Sequence, residues 1–225
     1  MSTVLRNFVD LTTAIERMRP AQSRASGPLI VCLVGAPGAG KSTLAAALTA
    51  ELPGSVVLPM DGFHLPQAEL VRLGRRDRMG APDTFDVDAF VALLGSLRDL
   101  HTSGETVLAP GFDRRVEEPV PDQIALTPEL RCVMVEGNYL LLREHGWHRV
   151  APLLDLSVGI VLDDETRHAR LIARHIAFGK TPDAARAWAL GPDERNAAAI
   201  AATLERADYL LDTSANDSSA GSSTR

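Results

Sequence analysis

The feature that most constrains this chain is a glycine-rich stretch, residues 35–42, which reads Gly-Ala-Pro-Gly-Ala-Gly-Lys-Ser. This is the spacing of a phosphate-binding loop, whose backbone N–H groups wrap a phosphate chain. Gly38 and Gly40 leave room for that close approach because they carry no side chain. Lys41 supplies a cation to the β- and γ-phosphates, and the Ser42 hydroxyl is a suitable ligand for Mg²⁺. The stretch, which we call the phosphate loop, therefore predicts a nucleotide site.

The flanking sequence supports this interpretation. Residues 29–34 form a continuous apolar run typical of a strand that is buried on both faces. Residues 43–52 are strong helix formers, and Pro53 and Gly54 end that segment. Strand, loop and helix thus follow in the order that phosphate binding requires. The predicted nucleotide-binding residues are Gly35, Ala36, Pro37, Gly38, Ala39, Gly40, Lys41, Ser42, Thr43 and Arg167.

Composition narrows the class of protein. The chain has 225 residues, a net charge of −6 and a pI of about 5.5, which disfavours a general nucleic-acid binder. Cys32 and Cys132 lie in apolar runs and are interpreted as buried side chains. We find no apolar run long enough for a membrane span and no secretory signal pattern, so we expect no membrane partner and a cytoplasmic location. The oligomeric state is left open, with a homodimer as one option.

The order of segments predicts an α/β three-layer sandwich, in which helices cover both faces of a five-stranded parallel sheet. We expect an N-terminal helix over 3–19 and a connector up to residue 28. The folded domain then covers 29–213, and a disordered tail covers 214–225. A second strand at 55–60 should lie at the sheet edge because Pro59 cannot donate to a strand ladder. Residues 105–126 read as a hairpin, and later strands are expected near 132–135, 158–162 and 209–211.

Two acids follow separate strands and are predicted to meet the phosphates, because ligands of open parallel sheets bind at the carboxyl ends of the strands. We assign Asp61 as the base that accepts the proton of an attacking hydroxyl, and Glu136 as a Mg²⁺ ligand beside Ser42. The two assignments could be exchanged. In the alternative interpretation, either acid caps a neighbouring helix.

A cluster of arginines marks a second constellation. Arg167, Arg170 and Arg174 fall on one face of a predicted helix, where they repel one another unless an anion is present. We interpret residues 163–190 as a lid whose arginines stabilise the transferring phosphate, with Arg170 and Arg174 as catalytic residues. The alternative is a solvated face with intrahelical ion pairs. A third segment, 74–86, is either a substrate-facing loop or a solvated charged loop.

Several motifs together resemble the phosphoribulokinase/uridine kinase/bacterial pantothenate kinase family, and within it small bacterial nucleoside kinase-like or fructose-transport-system kinase-like members. Beside the phosphate loop, the resemblance rests on 60–64 (Met-Asp-Gly-Phe-His), 78–86 (Arg-Met-Gly-Ala-Pro-Asp-Thr-Phe-Asp), 109–113 (Ala-Pro-Gly-Phe-Asp) and 135–140 (Val-Glu-Gly-Asn-Tyr-Leu). It implies the phosphate-loop fold described above, ATP, Mg²⁺, and transfer of the γ-phosphoryl group to a hydroxyl of a small sugar-, nucleoside- or pantothenate-like acceptor.

The resemblance places the catalytic acid on Asp61, the second acid on Glu136 and the lid arginines within 167–174. The predicted acceptor-binding residues are Phe63, His64, Arg78, Phe85, Asp86, Arg114, Asn138, Tyr139 and Asn196. Departures from the family pattern, including Phe112 and Arg114 where pantothenate kinases carry Tyr and His, argue against pantothenate and uridine themselves. The alternative function is a P-loop ATPase or nucleotide-dependent switch acting on a protein partner. A guanine-reading Asn-Lys-x-Asp motif is absent from the sequence.

Overall fold

A parallel sheet of six strands forms the centre of the molecule in the computed structural model, which describes residues 3–5, 7–18 and 27–214. The spatial order of the strands is β1-β8-β7-β2-β6-β3, and β4 and β5 form a separate antiparallel hairpin. The strands are β1 (Thr3–Leu5), β2 (Leu29–Gly35), β3 (Ser55–Pro59), β4 (Val107–Asp113), β5 (Glu118–Leu126), β6 (Cys132–Gly137), β7 (Leu156–Val161) and β8 (Tyr209–Asp212).

The sixth strand corrects the prediction of five. Residues 3–5 were expected to begin a helix over 3–19, but they pair in parallel with β8, where Leu5 lies opposite Leu211. The helix itself starts only at Phe8. Three residues of strand carry no periodicity of their own, and their apolar side chains fit the helical spacing that follows. Only the pairing with a strand some 200 positions away reveals β1.

Eight helices surround the sheet in the described part of the chain. They are α1 (Phe8–Met18), α2 (Lys41–Glu51), α3 (Gln67–Arg72), α4 (Val87–Ser96), α5 (Leu100–Ser103), α6 (Asp164–Ala177), α7 (Pro182–Leu190) and α8 (Pro192–Ala201). None of them combines the length and the apolar character that crossing a membrane would require. The tail predicted at 214–225 and most of the predicted connector lie outside the described residues.

The alternation of β2 explains why the sheet is covered on both faces. Ile30, Cys32 and Val34 belong to one apolar core, which also contains residues of α4. Leu29, Val31 and Leu33 belong to a second core, which α1 and α2 complete on the other face. Each of these side chains is fully buried, so the uninterrupted apolar run follows directly from burial on both sides.

The edge position predicted for the strand containing Pro59 is confirmed, since within the described residues β3 pairs only with β6. The hairpin of β4 and β5, also predicted, packs on the short 3₁₀ turn Met60–Phe63 that follows β3. A Cβ atom on Gly62 would overlap the carbonyl oxygen of Pro110, so only glycine permits this contact. The hairpin therefore stands over the carboxyl end of the edge strand.

Candidate active site

The phosphate loop connects β2 to α2 and ends in a left-handed residue. Gly40, with φ of 90°, is the N-cap of α2, which directs the positive end of the helix dipole into the loop. Lys41 Nζ donates hydrogen bonds to the carbonyl oxygens of Gly35 at 2.9 Å and Ala36 at 3.1 Å. Burial lowers the pKa of Lys41 to about 8, against the opposing effect of Glu136 and Asp61. The cation is thus held at the mouth of the loop.

The end of β6 brings an acid to the start of α2. Ser42 Oγ donates a hydrogen bond to Glu136 Oε1 at 3.0 Å, although the two residues are 94 positions apart. Burial raises the pKa of Glu136, while the neighbouring charge of Lys41 acts in the opposite direction. A hydroxyl and a carboxylate oxygen are hard donors of the type that Mg²⁺ prefers, so this pair fits such an ion.

The 3₁₀ turn after β3 carries Asp61, whose carboxylate is paired with an arginine of the hairpin turn. Arg114 Nη2 lies 2.6 Å from Asp61 Oδ2. Burial acts to raise the pKa of Asp61, but the neighbouring charges of Arg114 and Lys41 outweigh burial and lower it below its usual value. Asp61 is therefore ionised at neutral pH.

His64 is wedged beside Asp61 between two aromatic rings. Its ring centroid lies 4.0 Å from that of Phe85 and 4.8 Å from that of Phe112. Nδ1 is 2.9 Å from the Asp61 carbonyl oxygen, and Nδ1 must carry the proton because a carbonyl only accepts hydrogen bonds. Burial lowers the pKa of His64, which favours the neutral ring with Nε2 as an acceptor.

The three lid arginines of α6 have separate environments. Arg167 is buried and bonds Asp164 and Glu194, so it links α6 to α8, and its Nη1 has no hydrogen-bond partner among the described residues. This matches the ion-pair alternative rather than direct contact with ATP. Arg170 reaches the phosphate loop, where its Nη1 would lie 3.5 Å from a Cβ atom on Gly40. Arg174 lines the central cavity, and burial together with the charge of Arg114 lowers its pKa.

A cavity of about 290 Å³, which we call the central cavity, joins these elements. The phosphate loop and Glu136 form one side, the Asp61 turn and hairpin form another, and segment α6–α8 forms a third. Its predicted lining residues are Pro37, Lys41, Ser42, Asp61, His64, Arg114, Glu136, Asn138, Arg174 and Asn196. The structure thus brings together residues from the two acids, from the arginine cluster and from segment 74–86, which contributes Arg76, Met79 and Gly80.

Five residues predicted to bind the acceptor lie away from the cavity. Phe63 is buried and packs edge-on against Phe90 in the core. Asp86 caps α4 by accepting a hydrogen bond from Ala89 N at 2.9 Å. Phe85 lies beneath His64, and Tyr139 is buried with its hydroxyl on the Gly80 carbonyl at 2.6 Å. Arg78 pairs with Asp83 at 2.5 Å. None of these five residues forms the surface of the cavity.

Other residues that line the cavity were not predicted from the sequence. Arg76 joins the wall through Glu117, at 3.0 Å. His175 Nε2 lies 2.7 Å from Asp193 Oδ2. Lys180 lies 4.7 Å from the ring centroid of Trp188, and both residues line the cavity. The His175 contact joins α6 to α8, the Lys180 contact joins the turn between α6 and α7 to α7, and sequence spacing offers no signal for these contacts.

Comparison with known proteins shows the family to which this chain belongs. No protein-family model matches the chain. An ATP-dependent kinase-like protein of Aspergillus versicolor is 41% identical over 133 residues, which cover 57% of this chain and 77% of the relative. A Schizosaccharomyces pombe protein, described provisionally as a uridine kinase, is 35% identical and matches over 67% of this chain and 68% of its own length.

A solved structure agrees. A protein from Silicibacter sp. TM1040, described provisionally as a fructose transport system kinase, is 39% identical and covers 91% of this chain. The match covers 98% of that protein with a TM-score of 0.77. Sequence, fold and site geometry therefore agree, and this chain belongs to the P-loop kinases of the phosphoribulokinase, uridine kinase and pantothenate kinase family.

Proposed function

We propose that this protein transfers the γ-phosphoryl group of ATP to a hydroxyl group of a small-molecule acceptor. One observation carries the proposal. Asp61, an ionised carboxylate, lines the same cavity as Lys41 of the phosphate loop, while Arg174 of the lid faces both. Phosphoryl transfer needs little more than such positioning together with charge stabilisation.

The phosphate loop would hold the nucleotide. Lys41 Nζ now bonds two loop carbonyls, and phosphate oxygens would replace those acceptors when ATP binds. Ser42 and Glu136 would hold Mg²⁺, which, when bound, neutralises charge on the phosphates. The arginines of the lid add positive charge on the opposite side and help to exclude water from the reacting groups.

Asp61 would orient the acceptor and receive its proton. The hydroxyl oxygen attacks the γ-phosphorus, the bond from that phosphorus to the bridging oxygen breaks, and ADP leaves. The hydroxyl proton passes to the Asp61 carboxylate, which is ionised and therefore able to take it. Neutral His64 can accept a hydrogen bond at Nε2 and help to orient a second hydroxyl. A cavity of about 290 Å³ suits a small acceptor.

A coupled assay of ADP release tests this function. Sugars, sugar acids, nucleosides and pantothenate are supplied one at a time with ATP and Mg²⁺. We expect at least one hydroxyl compound to raise ADP release about tenfold or more above the rate with ATP alone. Lys41→Met serves as the control and should abolish the stimulated rate. A rate that no acceptor changes would instead support an ATPase or switch.

A further inference from the structure

Arg114 forms an ion pair with Asp61, the carboxylate that the proposed reaction needs as its base. Its Nη2 lies 2.6 Å from Asp61 Oδ2, and this is the one hydrogen bond of its side chain within the described structure. A carboxylate that is paired with a guanidinium is a weaker base, and here one of its two oxygens already accepts a hydrogen bond from Arg114. Proton transfer to Asp61 would therefore be favoured by a second anion that draws Arg114 away.

Hydrogen bonds hold in place the hairpin turn that carries Arg114, and the Arg114 side chain faces the cavity. Gln67 of α3 donates to the Val116 carbonyl at 2.7 Å, and Arg76 pairs with Glu117 at 3.0 Å. These contacts hold the turn of the hairpin over the cavity. The Arg114 side chain is 41% exposed and that of Asp61 is 23% exposed, so the pair lies in the cavity wall where a bound anion can reach it.

The charges that line the cavity favour an incoming anion. Its acids already have partners: Asp61 bonds Arg114, Glu117 bonds Arg76, Glu136 bonds Ser42 and Asp193 bonds His175. Besides Lys41 of the phosphate loop, two lining cations, Arg174 and Lys180, have no carboxylate within 4.0 Å among residues 3–5, 7–18 and 27–214. Arg174 lies near Lys41, so the phosphates of ATP would serve as its anionic partner. Lys180 instead lies over the ring of Trp188.

We propose that the acceptor carries a carboxylate or phosphate group, and that Arg114 binds this group and so releases Asp61 to accept the hydroxyl proton. Arg114 is then a specificity-determining residue. Its guanidinium can bind either anion through two parallel hydrogen bonds. This inference rests on the proposed kinase function and adds the chemical class of the acceptor.

Matched acceptors test the inference and separate the two anions. Gluconate is compared with glucitol and pantothenate with panthenol for the carboxylate, and ribose 5-phosphate with ribose for the phosphate. Binding is measured by calorimetry with a non-hydrolysable ATP analogue, and kcat and KM are measured with ATP. We expect at least one anionic compound to bind roughly ten- to a hundredfold more tightly than its neutral partner, as a charged hydrogen bond implies.

Variants of Arg114 assign that preference to its side chain. Arg114→Gln should remove the preference and raise the acceptor KM by the same factor, while the KM for ATP changes less than threefold. Arg114→Lys should restore part of it. Arg115→Gln is the matched control, because Arg115 is exposed and pairs with Asp113 outside the cavity, and it should behave like the unmodified protein.

Three results would overturn the inference. Neutral compounds could bind as tightly as their anionic partners, no anionic compound of the panel could bind, or Arg114→Gln could weaken the ATP analogue as much as the acceptor. In the last case Arg114 serves the γ-phosphate instead. Efficient phosphorylation of a neutral acceptor would leave the kinase function intact, whereas the absence of acceptor-dependent ADP release would remove the kinase function itself.

Discussion

Asp61 combines two properties that oppose each other in most proteins, because it is largely enclosed and yet ionised. Enclosure alone would favour the neutral acid, but Arg114 and Lys41 place positive charge beside the carboxylate. The same charges that keep Asp61 ready to accept a proton also weaken it as a base. The residue is therefore suited to a reaction in which proton transfer is late and the phosphate carries most of the charge.

Asp61→Asn should separate binding from chemistry. The amide keeps the size of the side chain but cannot take a proton, so we expect phosphoryl transfer to fall by about 10²- to 10⁴-fold. ATP affinity, measured by calorimetry, should change little because the phosphate loop is intact. A loss of activity below about threefold would assign the base to another group.

His64 should make the stability of the protein depend on pH. Its folded pKa lies below the usual value near 6.5, because burial disfavours the charged ring. Above pH 6.5 the His64 ring is neutral in both the folded and the unfolded chain, so the free energy of unfolding does not change. As the pH falls below that value, the unfolded chain binds a proton that the folded ring resists, and stability drops by at most about 1.4 kcal/mol per pH unit.

His64→Asn keeps a donor for the Asp61 carbonyl but does not titrate. Urea unfolding at pH 7.5 and pH 5.5 should therefore show a smaller loss of stability for the variant than for the unmodified protein. His148, which is exposed, offers the control substitution His148→Asn. Equal losses in all three proteins would show that His64 is protonated without cost in the fold.

At the scale of elements, the contact between the phosphate loop and α6 couples the nucleotide site to the lid. Gly38 has φ of 83°, and a Cβ atom there would lie 2.8 Å from Leu171 Cγ and 2.9 Å from the Arg167 carbonyl oxygen. The lid helix thus rests directly on the loop. Arg167 continues the connection to α8 through Glu194.

Gly38→Ala and Gly40→Ala form a matched pair. Both place a side chain in the left-handed region, since Gly40 has φ of 90°, but a Cβ atom on Gly40 meets nothing closer than 3.5 Å. Both variants should lose roughly 1–2 kcal/mol through backbone strain. Gly38→Ala should lose about 1–3 kcal/mol more from the overlap with α6. Chemical unfolding measures the free energy of unfolding of both variants. Equal losses of stability would mean that the loop does not pack tightly against α6.

Sequence reasoning predicted the position of a side chain correctly where that side chain lies at the end of a strand. The phosphate loop, Asp61 and Glu136 all come at carboxyl ends of parallel strands, and these ends must meet at one sheet edge. Asp86 carried a readable signal for another role, because an Asp before an apolar helix is a common N-cap. The Tyr139 contact with Gly80 and the His175 contact with Asp193 depend on tertiary packing and had no local signal.

At the scale of the whole molecule, the site is assembled from parts that are far apart in the chain. The edge strand β3, the hairpin above it and helices α6–α8 meet around the central cavity, and each supplies a different charge or hydrogen-bonding group. The sixth strand lies at the opposite edge of the sheet from β3, so the error in strand number did not affect the interpretation of the site.

The central claim is that the phosphoryl group goes to an alcohol and not to water. Phosphorus NMR of the products distinguishes these outcomes most directly, using ATP, Mg²⁺ and the best acceptor from the ADP-release screen. We expect a new phosphate monoester to appear in equal amount with ADP, and Asp61→Asn to suppress both. Inorganic phosphate as the main product, with no monoester formed, would contradict the account.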